Sequence, residues 1–314
     1  GTIITNITGP LDFGFRTYTI LPDAAAPPVV GAQPGAVPAP VPTADEVAFA
    51  SFNMQRFFDD VNDPAIGEPV LTAAAYDRRL AKASLVIRTL QRYPDVIGVQ
   101  EVENLATLQE VAGQVNSDAV NIDGITDPQY IAFLSEGNDV GGIDVGFLVK
   151  SSRISVVDVT QVGLTATYIN PNNGQPEILN DRPPLVLRGT ATGPSNGTLA
   201  FTVIVNHLRS LTGVGDSTDG NRVRTKRRAQ AEFLANYVQT RQLADPAENI
   251  LVLGDLNAFA VNDGYVDVIG TIKGMPTAPS EVVLASNDLV DPDLTNLVDV
   301  LSPEQQYSYI FDGN

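Results

Sequence analysis

Four short segments place groups suited to a hard cation and a phosphate directly after an apolar run. They are Phe52-Asn53-Met54-Gln55, Val99-Gln100-Glu101-Val102-Glu103-Asn104, Val205-Asn206-His207-Leu208-Arg209-Ser210 and Leu253-Gly254-Asp255-Leu256-Asn257. Carboxylate and carboxamide oxygens are hard donors that suit Mg²⁺, Mn²⁺ or Ca²⁺, and an imidazole beside them can exchange a proton or face developing negative charge. The chain has no cysteine and 1 histidine, which excludes disulfides, zinc thiolates, iron–sulfur clusters, thiol catalysis and His-rich zinc centres. A metal site must therefore be built from oxygen ligands and at most this one imidazole. Each residue also has a plainer reading. Asn53 could close a turn, Glu101 could be an exposed strand-end charge, His207 a hydrogen-bonded core residue, and Asp255 with Asn257 an Asx turn after Gly254. Glu103 and Asn104 read best as caps of a following helix.

The elements that would position these groups are legible from hydrophobic pattern. Val47 to Phe52 is a continuous apolar run of strand length, and Asp95 to Glu101, Val145 to Val149, Ile154 to Val159, Pro184 to Arg188, Leu199 to Asn206 and Ile250 to Gly254 are further strands. Helical spacing of Leu80, Ala83, Ile87 and Leu90 predicts a helix over Thr72 to Arg92, stopped by Pro94, and a second helix covers Arg222 to Gln239. Strands alternating with helices indicate a layered α/β or α+β domain. Strand ends cluster at one edge of such a fold, so the four segments are expected to converge.

Residues 1–22 read as strand material (Phe13, Phe15, Tyr18, Ile20): an arm on the main domain, or the tail of a missing upstream domain. Residues 23–46 carry Pro27, Pro28, Pro34, Pro38, Pro40 and Pro42 and read as a semi-rigid linker with no packed element. The main domain starts at residue 47. Gly1 opens the chain without a signal peptide, which suggests a processed chain or an excised piece.

Of 314 residues, 19 are Lys or Arg and 37 are Asp or Glu, a net charge of −18, which opposes gripping nucleic acid by bulk positive charge. Metal ions or a local basic patch must then bring in a polyanion. Arg222, Arg224, Lys226, Arg227 and Arg228 form one dense basic cluster, either a solvated helix face or a surface that steers a nucleic-acid backbone. No apolar run approaches the length of a membrane-spanning helix.

The order Phe-Asn-x-Gln, Gln-Glu-Val-Glu-Asn, Asn-His-Leu-Arg-Ser and Gly-Asp-Leu-Asn resembles the endonuclease/exonuclease/phosphatase superfamily over residues 47–314, and within it the secreted bacterial extracellular nucleases. The resemblance implies an α+β fold: a four-layer α/β sandwich with two central mixed sheets flanked by helices and the active site at one end between the sheets. It further implies a Mg²⁺- or Mn²⁺-dependent phosphodiesterase, with Ca²⁺ a further candidate, acting on DNA or RNA outside the cell. By that likeness Glu101 and Asn53 serve the metal, Asp255 orients the attacking water, and His207 and Asn257 contact the phosphate. Arg182, in Asn180-Asp181-Arg182-Pro183-Pro184-Leu185, and Arg209 would also face the phosphate, and Asp144, in Gly141-Gly142-Ile143-Asp144-Val145-Gly146-Phe147, would support the site. In the family, a segment like Tyr307 to Asn314 is followed by Asp-His-bearing strands that supply the general base. Those strands do not occur here, so the domain reads as incomplete at its C-terminus and impaired in activity.

Two rivals stay open: another phosphodiesterase or phosphatase of the superfamily, such as a sphingomyelinase-like lipid enzyme, and a non-catalytic binding module on the same scaffold. Oligomeric state is not legible.

Overall fold

The computed structural model describes residues 3–14, 17–31, 36–64, 66–193 and 197–306. Phe15, Pro34, Asn196 of an Asn-x-Thr triplet, and the segment Tyr307 to Asn314 lie outside the described residues. The chain divides into two units, residues 1–40 and 41–314.

In the first unit, β1 (Ile4–Thr5), β2 (Leu11–Gly14), β3 (Thr17–Ile20) and β4 (Val29–Val30) form two antiparallel ladders, β1 with β4 and β2 with β3. The expectation of a linker free of packed elements is corrected at β4. Proline removes backbone donors, but the two valines between Pro28 and Gly31 keep theirs and pair with Ile4 and Thr5. Nothing described in this unit is buried.

The second unit runs β5 (Phe49–Phe57), α1 (Ala73–Leu85), β6 (Val96–Val102), α2 (Leu105–Asn121), β7 (Tyr130–Leu134), β8 (Asp144–Lys150), β9 (Ile154–Gln161), β10 (Thr167–Ile169), β11 (Pro176–Ile178), β12 (Leu185–Thr192), β13 (Thr198–His207), α3 (Gly220–Ala244), β14 (Ile250–Asp255) and α4 (Val268–Lys273). One sheet has the order β5-β6-β8-β7 and the other β14-β13-β12-β9. Each is mixed, because β5 with β6 and β13 with β14 are parallel while the remaining pairs are antiparallel. β10 and β11 make a separate small hairpin.

The period-2 alternation of strand side chains gives each sheet two apolar faces. Inward-facing Val96, Val145, Phe147 and Val149 meet Leu185, Leu187, Val203 and Val205 between the sheets. Outward-facing Ile97, Val99 and Leu148 pack with Tyr76, Leu80 and Ile87 on one side and Leu108, Val111 and Val115 of α2 on the other. On the opposite flank, Val186 and Ile204 pack under Ala231, Leu234 and Val238 of α3 and Ile272 of α4. The result is the four-layer sandwich that the resemblance implies.

Gly98 sets how closely the sheets meet. A Cβ there would lie 2.2 Å from Leu253 Cδ1 and 2.9 Å from Val205 Cγ2, so glycine lets β6 approach β13 and β14 just below the strand ends. Gly98→Val should overpack this contact and cost about 1–3 kcal/mol. Urea unfolding would show it as a lower midpoint at unchanged slope; an unchanged midpoint would mean that the sheets are not in close contact at this point.

Candidate active site

The strand alternation that builds the inter-sheet core also delivers the functional groups. On β13, Val203 and Val205 face inward, and His207 continues that row. On β14, Leu251 and Leu253 face inward, and Asp255 follows them. Parallel pairing sets His207 opposite Asp255. In the other sheet, inward Phe49 leads to Asn53, which sits opposite Gln100. Glu101 would point outward by simple alternation. A bulge intervenes: Gln100 pairs with Val145 and Val102 with Asp144, leaving Glu101 between them with φ 62°. Bulges commonly re-aim a side chain next to a site. A second irregularity, between Asn53 and Phe57 on β5, faces it.

The groups converge. Ligand atoms of Glu101, His207 and Asp255 all lie within 4.8 Å of one another. His207 Nε2 is 3.8 Å from Glu101 Oε1 and 3.9 Å from Asp255 Oδ2. Asn53 donates from Nδ2 to both carboxylates, at 3.0 Å each, while its Oδ1 accepts from the Gln55 N–H at 2.9 Å. As oriented, Asn53 ties the carboxylates together and lends no oxygen to a cation; turning the amide over would offer oxygen but unpair the Gln55 N–H. Glu101 also accepts from the Arg56 N–H at 2.8 Å, and Asp255 from the Asn257 N–H at 2.9 Å. The Asx turn is thus present, and Asp255 is also one of the converging carboxylates.

A divalent cation fits this donor set. Two carboxylates sit side by side, and among the described residues the one potentially cationic side chain within 4.0 Å of them is His207. Like charges at such separation are relieved by a cation between them, and hard oxygens suit Mg²⁺ or Mn²⁺. His207 is buried and its Nδ1 has no partner. Burial, and then the Arg182 guanidinium, push its pKa down to about 3, so the ring is neutral at pH 7 and offers one N–H.

Other expected site residues are placed differently. Asn257, at φ 47°, donates from Nδ2 to the Leu208 carbonyl at 3.0 Å, bridging the loops after β13 and β14. Arg182 is committed: Nη1 holds Asp139 at 2.5 Å, and Nε and Nη2 reach the His207 and Leu208 carbonyls at 3.4 and 3.5 Å. The Arg209 guanidinium has only long contacts within its own loop, 3.5 Å to Ser210 Oγ and 3.3 Å to the Thr212 carbonyl. Asp144 is not one of the converging carboxylates; it is buried against Gly137, and burial with the Glu136 charge pushes its pKa up to about 8. Asn104 caps α2 as expected, accepting from the Thr107 N–H, but Glu103 accepts from the Asp59 N–H at 2.7 Å and caps nothing.

The basic cluster is not a bare solvated face, because its side chains have partners. Arg222 pairs with Asp219 at 2.6 Å, Lys226 with Asp181 at 2.8 Å, Arg227 with Asp263 at 3.1 Å and Arg228 with Glu232 at 3.6 Å. Arg224 donates to the Val214 carbonyl at 2.8 Å. Lys226 and Arg227 are buried, so this stretch anchors α3 to the loops below it. Arg79 of α1 does the same for the β5 bulge, donating to the carbonyls of Met54, Gln55 and Arg56 at 3.2, 2.7 and 2.8 Å. Sequence reasoning missed Arg79 and Arg227 as supports; no signal in the chain separates such arginines from surface ones.

Residues 48–285 match the family model described as the endonuclease/exonuclease/phosphatase family. The chain belongs to that family. Its fold is accordingly that of enzymes acting on phosphate esters. Among solved structures, it is similar to a family member from Bacteroides vulgatus, with 13% identity and a TM-score of 0.44 over 74% of this chain and 73% of that one. Another from Bacteroides thetaiotaomicron gives 12% identity and a TM-score of 0.39, covering 72% and 67%. A mannosyl-6-phosphatase of Bacteroides thetaiotaomicron gives 13% identity and a TM-score of 0.39, covering 72% and 70%. No curated protein sequence gives a significant match.

Because His207 is the 1 histidine of the chain, it supplies a single imidazole resonance. Its folded pKa of about 3 lies below the ordinary value near 6.5. Between these values the unfolded chain takes up a proton that the folded chain refuses, so this residue makes stability fall as pH drops through that window. The unfolding free energy of the metal-free wild type relative to His207→Gln should therefore decline by up to about 1.4 kcal/mol per pH unit on acidification. An imidazole titrating near 6.5 in the folded protein would refute the assignment of a neutral, buried ring.

Proposed function

We propose that the chain hydrolyses phosphodiesters of nucleic acid, DNA or RNA, with Mg²⁺ or Mn²⁺ as cofactor. The observation that carries the reading is the convergence of Glu101, His207 and Asp255 at one end of the inter-sheet seam. Glu101 and Asp255 hold the cation, and Asn53 fixes both carboxylates. When bound, the cation withdraws charge from a phosphate oxygen and so eases nucleophilic attack. The Asp255 side chain, the most exposed of the three at 32%, orients a water by accepting its hydrogen bond. The neutral His207 N–H and the remaining Asn257 amide hydrogen donate to phosphate oxygens, where negative charge grows during the reaction. Arg209, held loosely, turns toward the phosphate, and Arg182 supports His207 through the backbone.

A second reading has a specific observation in its favour. The basic helix is internally paired, which leaves little cationic surface for a long polyanion on a chain of charge −18. That suits a small phosphate ester, hydrolysed by the same groups.

The test is turnover of plasmid DNA, RNA, bis-p-nitrophenyl phosphate and p-nitrophenyl phosphate by the full chain with each metal. Nucleic acid and the diester should be cleaved, EDTA should abolish cleavage, and Glu101→Gln should lower it about 10³-fold, equivalent to several kcal/mol of lost transition-state stabilisation. Turnover confined to the small esters selects the second reading. Metal binding without turnover of any substrate would make the chain a binding module.

A further inference from the structure

Arg227 is 1% exposed, yet its partners are the two loops that deliver the site. Its Nη1 donates to the Arg209 carbonyl at 2.6 Å and to the Asn257 carbonyl at 2.9 Å, while Nη2 reaches Asp263 Oδ2 at 3.1 Å. Arg209 lies two residues beyond His207, and Asn257 two residues beyond Asp255. One guanidinium thus spans the loop after β13 and the loop after β14. Close to the strand ends, those loops also join through Asn257 Nδ2 to the Leu208 carbonyl and through the Leu208 N–H to the Asp255 carbonyl. A buried cation is strongly destabilising unless it is paired and hydrogen-bonded, so such a residue is a poor way merely to fill space. The planar fork of arginine can hold two carbonyls and a carboxylate at once; the point charge of lysine lacks that geometry.

We propose that Arg227 is a positioning residue, fixing the spacing of the His207 and Asp255 loops and hence the geometry of the cation and phosphate site. The inference rests on reading this site as a phosphodiesterase centre, but its physical signatures do not need turnover.

The experiment compares Arg227→Lys with Arg88→Lys in the full chain. Arg88 is a similarly buried guanidinium, paired with Asp123 at 2.6 Å in the helical layer on the other side of the sandwich. Both variants should lower the unfolding midpoint. Only Arg227→Lys should shift the His207 imidazole resonance and weaken Mn²⁺ binding, by about 10- to 100-fold, with a fall in kcat for bis-p-nitrophenyl phosphate that exceeds any rise in KM. Should lysine at 227 prevent folding, Arg227→Gln takes its place in the same comparison. A folded 227 variant with wild-type resonance, Mn²⁺ affinity and kcat, destabilised only as Arg88→Lys is, would overturn the proposal. If the wild type turns over no phosphodiester while the resonance and Mn²⁺ affinity still respond to position 227, the functional reading fails and the positioning role stands.

Discussion

Asn53 donates from one amide nitrogen to Glu101 on the neighbouring strand and to Asp255 on the opposite sheet. That shared donor marks the constraint behind the rest of the structure: two carboxylates must be held side by side, although they repel. Amide hydrogen bonds offset part of that repulsion, and a cation would offset the remainder. The carboxylates therefore need a scaffold rigid enough to prevent them from moving apart when no cation is bound. One comes from β6 and the other from β14, in different sheets, so the rigidity has to be inter-sheet. Gly98 provides it by letting Leu253 and Val205 close directly on the β6 backbone.

Backbone strain accumulates around the same point. Among the described residues, Gln55, Arg56, Glu101 and Asn257 all have positive φ, as does Gly254. For a residue with a side chain this costs on the order of 1–3 kcal/mol and persists only where surrounding contacts over-determine it. Those contacts are identifiable. Arg79 takes the carbonyls of the strained Met54–Arg56 turn, Arg182 those of His207 and Leu208, and Arg227 those of Arg209 and Asn257. Gly254 is needed for a different reason: a Cβ there would come within 2.0 Å of the Asn206 carbonyl oxygen, so no larger residue allows β14 to reach Asp255 in this register.

The sequence makes the strands carrying His207 and Asp255 legible because each is a continuous apolar run ended by polar residues, the pattern of a strand buried on both faces. The convergence of the four segments follows from layered topology, and the structure displays it. The bulge at Glu101 is not legible, since nothing in Val-Gln-Glu-Val marks a positive φ; it becomes visible only when Val102 is seen facing the outer core. β7 and α4 escape pattern reading because they are 5 and 6 residues long, too short for periodicity to separate from loop. The basic stretch misleads for a physical reason. Its partners Asp181 and Asp263 lie 45 and 36 residues away, and charge counting along a chain does not see pairs formed across it.

That pairing bears on what the site can accept. Lys226 and Arg227 are paired with Asp181 and Asp263, so they add little free positive charge to a chain of net charge −18. Long-range attraction of a polyanion is then weak, and encounter must rely on screening by salt, on divalent ions bridging acidic groups and phosphate, or on short-range contacts at the site mouth. On the proposed reading Arg209 would make such a contact, since its guanidinium is held only by long hydrogen bonds to Ser210 and Thr212. A neutral His207 adds no charge of its own, so on the proposed reading a phosphate would be met by the cation and by whatever guanidinium the site mouth offers. Specificity in such a centre comes from whatever groups line its mouth, since the cation and one guanidinium recognise phosphate without regard to what is esterified to it.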